Sequence, residues 1–387
     1  MPVWHETVKE WVSQGKLQII GVIQEQHPER CELFRQWQAF DWPILHDPIN
    51  VLNTTAVPIF VAIDQHGIVR SVRPDSGRFA EDFINRDFSD DASNNSKPLT
   101  PPRQVNDRPD TDARTQGDVL ALWHSPEKID AAISAYRQAL QTSPDDDRSH
   151  FRLGVCLMRR FESQKRRAGD FGAAIASWET ALAGNPNQYI WRRRIQQYGP
   201  RLDKPYPFYD WVDQAQHDIR ARGDTPIELP QPPLGAEIAT PTDRFATAKD
   251  NAVNPDPAGK IFRDTERLVQ ISVTTVPSQP KPGSTVAVHI HFVPNPVTRT
   301  FWNNESEPLR LWINQSDDVT LNQHFIKGVN RPSAETDEVR RLEFEVRIPE
   351  EATLPIRING YALYYVCEDV RGVCQFLRQD ISFSLGK

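Results

Sequence analysis

The spacing of apolar residues changes twice along this chain, and this change constrains the fold more than any other feature. In residues 1–88, helical spacings alternate with short apolar runs such as "KLQIIGVIQE", which has the length of a strand buried on both faces. In the middle of the chain the spacing is helical throughout, and from Arg267 onward it alternates with period two. The sequence therefore predicts a multidomain chain that is α/β, then all-α, then all-β.

Residues 1–88 predict an α/β sheet with helices on its faces, in the order helix, strand, helix, strand, strand, strand, helix. "MPVWHETVKEWVSQG" and "PERCELFRQWQAF" carry one apolar stripe each at helical spacing. "VPIFVAIDQHGIVRSV" predicts a hairpin that turns at Asp64–Gly67. Residues 89–117 consist of Asp, Asn, Ser, Pro and Arg with almost no apolar content, so they predict a flexible linker.

Residues 118–222 predict a helical domain with an internal repeat. "AAISAYRQALQTSPDD" from Ala131 aligns with "AAIASWETALAGNPNQ" from Ala173, so that Tyr136 matches Trp178. Small residues, an aromatic residue before them and a closing proline resemble a tetratricopeptide repeat, and the basic insertion "SQKRRAGD" accounts for a period above the usual 34. This resemblance implies a groove that docks a protein or peptide partner.

Residues 223–262 predict a proline-rich connector, and residues 263–387 predict a β-sandwich. "RRLEFEVRI" places apolar side chains on one strand face and the charged Arg341, Glu343, Glu345 and Arg347 on the other. "STVAVHIHF", "PLRLWIN", "PIRINGYALYYVC" and "VCQFLRQDISF" add further strands. Five or more strands with turn signals between them indicate an immunoglobulin-like sandwich.

Composition and motifs remove several functions from consideration. The formal net charge of −7 argues against nucleic acid as a partner, and no apolar stretch reaches the length of a membrane span. The sequence has no glycine-rich phosphate loop and no serine-nucleophile elbow, and we expect no cofactor and no metal. His289 and His291 share one strand face, but no third metal ligand accompanies them in the sequence.

The first segment resembles the redoxin branch of the thioredoxin-like fold, which includes peroxiredoxins and thiol–disulfide reductants. "VWHETVKEW", "LQIIGVIQE", "WPILHDP" and above all "VPIFVAIDQHGIVR" carry this likeness. The resemblance implies a cis bond between Val57 and Pro58 and a substrate-binding role for these two residues. In that family the reactive cysteine lies at the start of the first helix, right after the first strand, whereas this chain begins within that helix and lacks both the strand and the cysteine turn.

Two explanations of the missing cysteine motif stay open. Met1 is an internal methionine of a longer protein, or the domain is a degenerate redoxin that serves as a packing module. On either account we expect no dithiol chemistry in the first domain as written, and enzyme activity depends on a motif upstream. Cys31 and Cys156 lie on predicted helices and are expected to be packing residues. The expected compartment also depends on where the protein begins. As written, the sequence shows no signal peptide and predicts a cytoplasmic protein, whereas a signal peptide upstream would make it periplasmic.

Cys367 and Cys374 flank a six-residue loop in "YYVCEDVRGVCQF", so two antiparallel strands would place them opposite each other. This stretch resembles the periplasmic N-terminal domain of the DsbD-type thiol–disulfide interchange proteins, although the spacing is one residue wider. The resemblance implies an exchangeable, catalytic disulfide, whereas a structural staple is the other interpretation. We therefore expect a redox-associated protein whose helical repeat docks a partner. The alternative is a non-catalytic interaction scaffold with a structural disulfide.

Overall fold

The computed structural model describes residues 2–88, 112–123, 125–202, 211–237, 244–245, 253–369 and 371–386. It combines helices with several antiparallel sheets, among them a multi-stranded sheet near the C-terminus. Contacts divide the chain into two units. The first comprises Met1–Lys165, Thr180–Arg194 and Asp210–Pro232, and the second comprises Arg166–Glu179, Ile195–Tyr209 and Pro233–Lys387. This division cuts across the segments predicted from composition: residues 1–88 share a unit with most of the helical segment, and the proline-rich connector is split at Pro232. The predicted linker falls mostly on residues 89–111, outside the described residues, and its last residues already belong to a helix.

The first segment has the predicted order of elements, but its strands form two ladders. The elements are α1 (Pro2–Ser13), β1 (Gly21–Ile23), α2 (Pro28–Gln38), β2 (Ile44–His46), β3 (Val61–Ile63), β4 (Val69–Val72) and a π-helical turn (Ala80–Ile84). β1 pairs with β2 in parallel, and β3 pairs with β4 antiparallel. Among the described residues no ladder joins the two pairs, so the expected single sheet is corrected to two two-stranded sheets.

The apolar stripe of α1 packs on the second ladder. Val8 forms a buried cluster with Ala62 of β3 and Phe79. Trp4 stacks on Phe60 with ring centroids 4.9 Å apart, so the strand entered after Pro58 is held against the first helix.

The helical segment runs from α3 to α8. Its helices are α3 (Ala113–Leu122), α4 (Pro126–Thr142), α5 (Asp147–Phe161), α6 (Asp170–Gly184), α7 (Tyr189–Gln196) and α8 (Trp211–Ala221). The repeat-equivalent residues Tyr136 and Trp178 are both fully buried. Gly117 of α3 lies under the Tyr136 ring, where a Cβ atom would come within 2.7 Å of a ring carbon, so glycine permits this close approach of α3 to α4. None of the helices formed by the described residues has the length and apolar character needed to cross a bilayer.

The C-terminal part consists of two antiparallel sheets that share one apolar core. The strands are β5 (Val269–Val276), β6 (Thr285–Pro294), β7 (Thr300–Asn303), β8 (Arg310–Ile313), β9 (Thr320–Leu321), β10 (Phe325–Lys327), β11 (Glu335–Thr336), β12 (Arg340–Arg347), β13 (Ile356–Glu368) and β14 (Val373–Leu385). One sheet has the order β5-β6-β12-β9. In the other, β10-β8-β13-β7-β11, the strand β14 pairs with β13. Alternate residues of β6 and β12, such as Ile290 and Phe344, enter the core with Trp302 and Tyr364 of the second sheet.

The outer face of the four-stranded sheet is also covered. Residues 166–179 and 195–202 belong to the same unit, and Phe171 of α6 contacts the His291 ring with centroids 4.4 Å apart. Glu345 on this face is buried and accepts hydrogen bonds from the backbone N–H of Arg201, at 2.8 Å, and from Arg244. The predicted alternation of apolar and polar residues is therefore confirmed, and the polar outer face of the four-stranded sheet is covered by other residues of the same unit.

Candidate functional site

Cys367 and Cys374 lie directly opposite each other near the loop end of the β13–β14 hairpin. The register pairs thirteen residues of each strand, from Ile356↔Leu385 to Glu368↔Val373, and Cys367↔Cys374 is the second pair from the loop. The Cα atoms are 3.9 Å apart and the two sulfur atoms are bonded. The disulfide that both interpretations of the spacing require is therefore present.

The two sulfur-bearing residues differ in exposure. Cys367 is 5% exposed, since β13 lies between β14 and β7 and the register sets Phe301 of β7 on its other side. Cys374 is exposed, because β14 is an edge strand. A molecule approaching from solvent therefore meets Cys374 first.

The disulfide lies on the face of the hairpin that points away from the core. Val366 and Tyr364 belong to the core, and the alternation of the strand turns Cys367 and Tyr365 to the opposite face. Next to the disulfide along the hairpin, Tyr365 stacks on Phe376 with centroids 4.4 Å apart and an interplanar angle of 19°. This pair could have been predicted, since each residue lies two positions from its cysteine.

In the loop after Cys367, Arg371 forms ion pairs with two glutamates, Glu368 and Glu266. Glu368 is 2% exposed, and its Oε1 lies 2.6 Å from Nε of Arg371. Arg371 also donates to both carboxylate oxygens of Glu266, which lies far away in the sequence. The hydrogen bonds to Glu266 and then to Glu368 raise the pKa of Arg371, and the bond from Arg371 lowers the pKa of Glu266. Sequence reasoning missed Glu266, because no local signal connects it with the loop.

The other two cysteines are poor nucleophiles. Burial, followed by the charge of Glu25, raises the pKa of the half-buried Cys31 to about 11. Burial raises the pKa of Cys156 in α5 to about 12. A thiol at either value is almost entirely protonated near neutral pH, as expected of packing residues.

The predicted substrate-binding pair, Val57 and Pro58, belongs to the first unit, and the disulfide belongs to the second. The bond between them is cis, as the resemblance implied. Both residues are exposed, Val57 at 52%.

His289 and His291 are buried rather than open to a ligand. His289 donates from Nε2 to the carbonyl oxygen of Tyr198 at 2.7 Å. Burial, then the charges of His289 and Arg341, keep the pKa of His291 well below its ordinary value. No group of three potential metal ligands occurs in the part of the chain that the structure describes.

Comparison with known proteins adds little. No protein-family model matches the chain, and no curated protein matches it. Among solved structures, the chain is similar to a FixG-related protein from Vibrio parahaemolyticus, over 30% of this chain and 96% of that one, with 9% identity and a TM-score of 0.17. A likeness at this score bears on neither fold nor function.

Proposed function

We propose that this chain takes part in thiol–disulfide exchange through Cys367 and Cys374. The observation that carries the proposal is the exposure of Cys374 on an edge strand, on the face of the hairpin away from the core. A disulfide exchanges only when an attacking thiolate reaches one of its sulfur atoms, and Cys374 is the more exposed of the two cysteines.

The exchange proceeds in two balanced steps with a protein dithiol as the reductant. A thiolate of the partner attacks Sγ of Cys374, the bond between Cys374 and Cys367 breaks, and the electron pair leaves on Sγ of Cys367, which then takes a proton. The second thiolate of the partner attacks its own sulfur in the mixed disulfide, and Cys374 leaves with the electron pair. The partner is oxidised to a disulfide, and the pair here is reduced to two thiols.

The β13–β14 hairpin should stay folded when the Cys367–Cys374 disulfide is reduced. Twelve further residue pairs hold β13 to β14, and the core residues of both sheets include no cysteine of this pair. Closing so short a loop contributes only about 2.5 kcal/mol on the chain-entropy estimate. These features support a bond that can open and close while the fold persists.

The proposed docking functions fall to the redoxin-like segment and to the helical repeat. The redoxin-like segment carries no cysteine motif as written, so we assign it no electron transfer. Val57 and Pro58, exposed ahead of the β3–β4 hairpin, remain its proposed contact point for a substrate peptide. The helical repeat remains the proposed docking element for a protein partner.

A second candidate is an interaction scaffold with a structural disulfide. The observation that favours it is the acidic pair Glu368 and Asp369 beside Cys367, since negative charge opposes formation of a thiolate there.

Redox titration separates the two functions. The full chain is equilibrated in dithiol buffers of graded potential, and the thiols of Cys367 and Cys374 are counted after alkylation. The variant C367S/C374S corrects for Cys31 and Cys156. We expect a midpoint above about −300 mV, in the range of exchanging proteins. A midpoint well below that value would leave the scaffold as the function.

A further inference from the structure

Arg371 is the cation of the loop that the disulfide closes, and it binds two carboxylates. Its Nε and one terminal nitrogen lie 2.6 Å and 3.0 Å from the two oxygens of Glu368. Its terminal nitrogens also contact both oxygens of Glu266. Glu368 follows Cys367 in β13, with its buried side chain on the opposite face of the strand, whereas Glu266 is half exposed.

The charged groups near Cys367 in the structure come from four segments. Glu368 follows it in β13, Asp369 and Arg371 lie in the loop, and Glu266 precedes β5. From the loop before β7, Arg299 pairs with Asp369 at 3.2 Å, and both are mostly exposed. Solvent screens the Arg299–Asp369 pair. The buried carboxylate of Glu368 is screened less, so its effect on Cys367 depends on Arg371.

We propose that Arg371 is a positioning residue for disulfide exchange, which acts by neutralising Glu368 so that Cys367 can depart as a thiolate. The inference rests on the proposed function above. Exchange is faster when the departing sulfur holds its negative charge more easily. With Arg371 absent, a thiolate on Cys367 forms one residue away from an uncompensated buried carboxylate.

The test measures the rate at which dithiothreitol reduces the Cys367–Cys374 bond in the full chain. We expect R371Q to react about tenfold more slowly than the wild type, on a Coulomb estimate combined with the dependence of exchange on the leaving thiol. R371K keeps the charge and should react within about twofold of the wild type. The double variant R371Q/E368Q should recover the wild-type rate, since the carboxylate that Arg371 offsets is then absent.

Two further variants exclude a purely structural role. E266Q weakens the anchoring of the loop but leaves Glu368 neutralised, so we expect little change in rate. R299Q removes a nearby exposed cation and should also have little effect. Thermal unfolding of each oxidised variant confirms that the fold is intact.

The proposal is overturned if R371Q matches the wild-type rate. It is also overturned if E266Q slows exchange as much as R371Q and the double variant does not recover. If the midpoint of the wild type is that of a structural disulfide, the exchange function fails, yet these rate ratios still decide the role of Arg371.

Discussion

At the scale of single residues, His291 predicts a dependence of stability on pH. It is 1% exposed, packs on Phe171 of α6, and faces Ser272 of β5 and Arg341 of β12 across the ladders, with His289 nearby. Burial keeps its pKa well below 6.5 in the folded state, so only the unfolded chain takes up the proton near that pH. This contribution to the unfolding free energy is therefore complete above pH 6.5 and is lost as the pH falls below it.

We expect the variant H291Q to lose less stability on acidification than the wild type. The difference should reach about 1.4 kcal/mol per pH unit below pH 6.5, and chemical denaturation at pH 7.5, 6.5 and 5.5 measures it. H217Q, at an exposed position of α8, serves as the control and should keep the wild-type slope. Parallel wild-type and H291Q curves would contradict the prediction.

Residue-level expectations were met where they depended on local geometry. The position of Cys367 opposite Cys374 follows from two alternating strands around a short loop, and the structure confirms it. The ion pair of Arg371 with Glu266 could not be predicted from the sequence. The two residues lie about a hundred positions apart, and nothing in the sequence around either one indicates the other.

At the scale of elements, periodicity predicted strands and helices but not their neighbours. The alternation in β6 and β12 identified the inner face correctly, because burial of that face produces the alternation. It could not show that Phe171 covers His289 and His291 on the outer face, since α6 lies more than a hundred residues earlier. In the first segment, the sequence predicted the strands but not their pairing, because an apolar strand does not indicate which other strand it pairs with.

The β13–β14 hairpin should keep its register in both redox states. We expect C367S/C374S to lose about 2.5 kcal/mol of unfolding free energy, the chain-entropy contribution of the closed loop, and to stay folded. Amide hydrogen exchange along Ile356–Val366 should remain protected, while the loop beyond Glu368 exchanges faster. General loss of protection along β13 would show that the bond is needed for the fold and would count against exchange.

At the scale of the whole molecule, the domain boundaries predicted from composition differ from the two units defined by the contacts within the structure. Residues 1–88 share a unit with most of the helical segment because buried arginines of the helices donate to backbone carbonyls of the first segment. Arg152 of α5 donates to Ile49, and Arg194 of α7 donates to Gln24 and Pro48. From sequence alone, an arginine on a helix is expected to be exposed to solvent. The hydrogen bonds of Arg152 and Arg194 to the first segment could therefore not be predicted.

Arg152 provides the test of this shared unit. Its guanidinium holds both carboxylate oxygens of Asp118 in α3, at 2.7 and 2.8 Å, while it also donates to Ile49. Burial raises the pKa of Asp118, and Arg152 opposes that rise. The variant R152M leaves this carboxylate without its cation, so we expect a loss of about 3–5 kcal/mol. R114Q breaks the more exposed pair of Arg114 with Asp146 and should cost at most about 1 kcal/mol.

Hydrogen exchange then decides whether the two segments unfold together. If they form one cooperative unit, R152M should lower the protection of β1 and β2 by the same free energy as that of α4 and α5. Loss of protection in the helices alone, with β1 and β2 unchanged, would show that the first segment folds independently of the repeat. That outcome would restore the boundary near residue 88, and the carbonyl contacts of Arg152 and Arg194 would then join two separate domains.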